Sequence, residues 1–157
     1  MISRIGVLIC LAGVINCHRL PPSGMTSDDT LGLYEAVIRA ITAEFPRDRR
    51  PPVERGLMAW YTRDSRQAPD SAPPQTVREL PDTFVARLTR EQVIRGLCPP
   101  DGCRRVANAI TLSPSRVGAD GLFLVQASLQ GSGLYQYAAR RIATGWMVVR
   151  SEELMVY

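Results

Sequence analysis

The sequence predicts an α+β domain: an N-terminal amphipathic helix and short helices packed on a curled antiparallel sheet of about four to five strands. Three observations carry this. Residues 26–45 hold a single apolar stripe at helical spacing, and strand-like runs crowd the last third of the chain. The connections between those runs are too short for parallel crossovers, so the strands run antiparallel.

Ahead of the domain stands an export segment. Met1-Ile-Ser-Arg4 supplies one positive charge, and Ile5 to Ile15 (IGVLICLAGVI) is an uncharged apolar run. That is a basic start, an apolar middle and then a processing site, the layout of a signal peptide over residues 1–16. The apolar run spans ~17 Å as a helix, short of the ~20 residues that a bilayer crossing needs. Residues 17–29, polar with Pro and Gly, suit a flexible tether, and residues 30–157 are long enough for one domain with its own core.

The first element of the domain is the clearest. Thr26 or Ser27 can cap a helix, Asp28 and Asp29 favour its positive end, and Pro46 follows its last turn. Tyr34, Val37, Ile38, Ile41 and Phe45 form the stripe. Arg47 to Arg55 (RDRRPPVER), with two prolines among dense charge, reads as a loop, and Gly56 to Thr62 reads as a short strand. Arg63 to Gln75 reads as an exposed loop. Pro81 to Leu88 starts a short helix, and a capping box over Thr89-Arg-Glu-Gln92 predicts another ending near Leu97.

Strands then follow over 106–113, 122–129, 134–142 and 146–157, with turns at Ala119–Gly121, Gln130–Gly133 and Ala143–Gly145. Phe123, Val125 and Ala127 alternate on one face, as do Trp146 and Val148, so one face packs on the first helix.

Composition excludes more chemistry than it suggests. All nineteen basic residues are arginine, and the single histidine, His18, lies in the tether. Schiff-base and Walker lysines, a Ser-His-Asp triad, an imidazole base and a histidine-built zinc site are thereby excluded from the domain. No metal or cofactor is expected. Without residues 1–16 there remain eighteen arginines against fifteen acids, too dispersed for a nucleic-acid groove. The sharper reading of the arginines is contact with anionic lipid headgroups or envelope polysaccharide; the plainer one is solvated charge.

Cys98-Pro-Pro-Asp-Gly-Cys103 is turn chemistry that brings two cysteines within bridging distance, and in an oxidising compartment a disulfide is expected. Trp60, Tyr135, Tyr137 and Trp146 either line an aromatic pocket or pack in the core. Glu152 and Glu153 are the best carboxylate pair, though neighbours on a strand point to opposite faces. They are either exposed acids or a source of one catalytic carboxylate.

Two resemblances add to this. Val14-Ile15-Asn16-Cys17 resembles the lipobox of bacterial lipoproteins, which implies lipidation of Cys17 and a membrane tether through that lipid. Asn16 departs from the small residue that the motif has there, so cleavage to a free exported protein remains open. Tyr135-Gln-Tyr137, Gly145-Trp146 and Val148-Val149-Arg150, with Leu112 to Val117, resemble the last strands of small exported bacterial domains. Their order of elements is similar to cystatin-like and nuclear-transport-factor-like cones, which include both enzymes and binding modules, and the resemblance brings no catalytic residue. Three readings follow: a lipid-anchored, non-catalytic binding or accessory module; a small pocket enzyme using a buried carboxylate; or an inhibitor-like or assembly partner that binds through a sheet edge. Anionic envelope components or another envelope protein are the partners these readings allow.

Overall fold

The computed structural model describes residues 25–61, 77–99, 102–104 and 106–156. The expected export segment, Cys17 with most of the expected tether, and the loop expected over 63–75 lie outside the described residues.

Helix α1 (Ser27–Thr42) begins with a capping box. The Thr26 hydroxyl accepts the Asp29 backbone N–H at 3.1 Å, and the Asp29 carboxylate accepts that of Thr26 at 3.3 Å. The last residues assigned to the tether are therefore the first turn of α1. Leu33, Tyr34, Val37, Ile38 and Ile41 are buried, each contributing ~1.5–3 kcal/mol if a comparable aliphatic side chain is the guide. Phe45 lies past the helix end yet still packs against the core.

The next segment differs from the expected loop. After a 3-10 turn at Arg47–Arg49, Pro51, Pro52 and Val53 are buried. Val53 forms parallel bridges to Leu97 on one side and Ile110 on the other. Its N–H donates to Gly96 O at 2.9 Å and its carbonyl accepts Cys98 N–H at 3.0 Å. Charge density pointed to solvent, but the charged residues flank an extended apolar strap whose prolines need no donor of their own. Gly56 to Thr62 is not a regular strand either; within its described part only Gly56 forms a bridge, to Glu79.

Helix α2 (Asp82–Arg90) follows Pro81 at its N-cap. The second helix expected through Leu97 does not form. Thr89 donates its hydroxyl to Val85 O at 2.9 Å instead of capping a new helix. Gln92 adopts φ 56°, Val93 N–H reaches back to Leu88 O, and Gln92 N–H to Thr89 O. This is a Schellman stop closed by the buried Val93–Leu88 pair.

Five antiparallel strands follow in an open sheet: β1 (Ile110–Leu112), β2 (Arg116–Val117), β3 (Phe123–Leu129), β4 (Gly133–Ile142) and β5 (Gly145–Val156). The order is β1-β3-β4-β5, with β2 also pairing β3. The expected 106–113 strand shrinks to three residues, because Asn108 takes φ 60° and its N–H turns to Gln130 O. Phe123, Val125, Ala127 and Leu129 face the core, and α1 lies against β5 and β4. Gly32 gives Trp146 its room: a Cβ there would sit 3.1 Å from the indole. Cys98 and Cys103 form the expected disulfide, with 5.3 Å between Cα atoms.

Candidate functional site

The site begins with a glutamine used as a strand. Gln126 on β3 is almost fully buried, on the face away from α1. Its side-chain Oε1 accepts the Tyr61 backbone N–H at 2.7 Å, and its Nε2 donates to Tyr61 O at 2.9 Å. Both amide groups are satisfied, as burial requires. Met58 N–H donates to Leu112 O at 2.8 Å, so the 58–61 segment is held beside the sheet at both ends. Ser113 completes the local network by accepting Gln126 N–H at 2.8 Å.

This places Trp60 against Arg116. The guanidinium carbon lies 3.5 Å from the indole centroid. Arg116 is opposite Leu124 in the register, on the same face as Gln126. Around the pair is an open depression of about 370 Å³, also bounded by Met58, Arg78, Pro114 and Ser115. Among the described residues two arginines and no acid line it, and neither arginine makes an ion pair. Burial pushes the Arg116 guanidinium below its ordinary value, yet arginine stays protonated. A guanidinium held over an aromatic face is suited to carboxylate or phosphate oxygens.

The other aromatic residues singled out in the sequence lie elsewhere. Tyr135 and Tyr137 are opposite Ala127 and Val125, on the core face. Tyr137 is buried, and burial first, then the Glu44 charge, pushes its hydroxyl up to about 12. Trp146 meets Phe123 edge to face at 4.8 Å. Trp60 is thus on the opposite face from these three. Glu152 pairs with Gln136 and Glu153 with Tyr135, and both carboxylates are exposed.

Among the described residues, Glu35 is an acid held by two arginines. Arg87 at 2.6 Å and Arg39 at 2.8 Å bind it between α1 and α2, and Glu91 also contacts both arginines. The hydrogen bond from Arg87 leads in holding its carboxyl below the ordinary glutamate value. A general acid needs a value raised toward neutrality, so this shift is in the wrong direction. Among the described residues no three His, Cys, Asp or Glu are grouped to hold a metal.

Arg116, Arg78 and Gln126 had no distinguishing signal in the sequence. Arginines are scattered along the whole chain, and a glutamine in a strand reads as a solvent-facing residue. No protein-family model, curated protein or solved structure matches this chain.

Proposed function

We propose that this protein is an exported, lipid-anchored envelope protein acting as a non-catalytic binding module for anionic envelope components. The observation that carries the reading is the Trp60–Arg116 stack, with Arg78 beside it and no acid among the described residues of the depression. Ligands of matching chemistry are phosphate- or carboxylate-bearing headgroups and polysaccharides. The layout of residues 1–17 supports export and a membrane position, with Cys17 as the lipid site. The open sheet covered by α1 is compatible with the cone-like resemblance.

Two measurements test it. Titration of the full chain with alginate oligomers or glycerol phosphate should change Trp60 emission, with Trp60→Phe identifying the responding indole. Arg116→Ala with Arg78→Ala should lower the affinity at least tenfold, and an unchanged affinity would reject the site. Intact mass after expression in a Gram-negative host should show cleavage before Cys17 plus a lipid-sized increment. An uncleaved chain would remove the export half of the proposal.

A further inference from the structure

The outer strand of the sheet carries its own pairing code. β5 spans twelve residues and, among the described residues, pairs only with β4. Among the described residues, none of its backbone groups is hydrogen-bonded outside that ladder. Met147, Val149 and Val156 are exposed along it. Two register shifts interrupt the β4 pairing, leaving Val149 and Leu154 as the extra residues of two bulges. Arg150 to Glu153 is the regular stretch between them.

Within a regular stretch, residues opposite each other in an antiparallel pair share a face. A two-fold axis relating two such strands must therefore pass through a residue, not between two. Four centres lie within that stretch. Axes at Arg150, Glu152 and Glu153 each set that residue against its own copy, and all three place like charges in contact. An axis at Ser151 pairs Arg150 with the copy's Glu152, twice, and brings the two serines together. It also keeps one bulge on each side of the axis, so Met147 comes opposite Met155 of the copy, and Trp146 opposite Val156, with faces matched. Glu152 and Glu153 have no ion-pair partner among the described residues, whereas Arg150 reaches Asp120 at 3.2 Å and retains further donors.

We propose that β5 pairs edge to edge with the β5 of a second copy of this chain, antiparallel, about a two-fold axis at Ser151. The occupant follows from charge complementarity: the one parity-allowed register of the four that avoids like charges also forms both Arg150–Glu152 pairs. The sheet then continues through both copies, an isologous form of strand addition. This inference is independent of the anionic site, which lies at the opposite edge.

The test is a register-specific crosslink in the full chain expressed with its own leader. Ser151→Cys should give a reductant-sensitive band at twice the chain mass on a non-reducing gel. Glu153→Cys, displaced from the axis, and the unsubstituted chain should not. Light scattering should then show Arg150→Glu shifting the dimer to monomer, and Arg150→Glu with Glu152→Arg restoring it. Asp120→Asn should leave the dimer intact, which separates the intermolecular pair from the internal one. A monomer at all concentrations, or a dimer whose Ser151→Cys form does not crosslink, would overturn the proposal.

Discussion

The two edges of the sheet are finished in different ways. At the β1 edge the backbone is covered: Ile110 N–H donates to Pro52 O, Glu54 N–H to Ile110 O and Met58 N–H to Leu112 O, all within 2.9 Å. At the β5 edge twelve residues have no such cover among the described residues. The covered edge carries the depression beside residues 57–60, and the open edge presents a ladder. A sheet edge satisfied by its own chain becomes a scaffold for side chains, while an unsatisfied one is itself a recognition surface.

The largest expected effect breaks the covered edge. Val53 is fully buried between two bridges, so Val53→Asp would bury an unpaired carboxylate and cost ~4 kcal/mol. Urea unfolding should show that loss, and a midpoint near that of the parent chain would contradict the strap as described.

Next in size is the disulfide. Cys98 is bonded to the strap through its N–H, and its short loop to Cys103 contributes ~2 kcal/mol by the chain-entropy estimate. Thermal melts with and without reductant should differ accordingly, with the covered edge gaining proteolytic susceptibility first.

Gln126→Leu sharpens the contrast further. It removes two hydrogen bonds to Tyr61, for ~1–2 kcal/mol, and frees Trp60 from Arg116. Trp60 emission should shift red while the β5 edge is unchanged.

These same elements show what the sequence made legible. The helix stripe and the two hairpins were readable because their signals are local: 3.6-residue spacing in α1, alternation in β3, and glycines where turns need them, as with Gly145 at φ 134°. The strap was not, because a single residue bridging two distant partners has no periodicity. The missing helix after Thr89 depended on Gln92 adopting a left-handed conformation, which competes with a plausible capping box. Of the candidate site only Trp60 was visible. Its partners come from a two-residue strand and from beside the 62–76 segment, and only tertiary pairing brings them together.

Acid offers a smaller effect that leaves both edges alone. Glu35 has a folded-state value below its reference of 4.5, so its contribution is full above that reference and is lost as pH falls through the lowered value. Its arginine partners are partly exposed, so the loss should be on the order of 1 kcal/mol. Glu35→Gln should flatten that part of the stability–pH curve. The smallest effect belongs to the open edge: Val149→Thr, at an exposed bulge, should change chain stability by less than ~0.5 kcal/mol.

The contrast between the edges is tested most directly by amide hydrogen exchange measured across a concentration series. At every concentration the N–H groups of Val53, Glu54, Met58 and Ile110 should be protected. The outward N–H groups of β5 should exchange freely in dilute protein and become protected on alternate residues around Ser151 as concentration rises. Protection of β5 that is already complete at the lowest concentration and unchanged thereafter, with the chain monomeric, would contradict the open edge. Rapid exchange at Val53 and Ile110 would contradict the covered one.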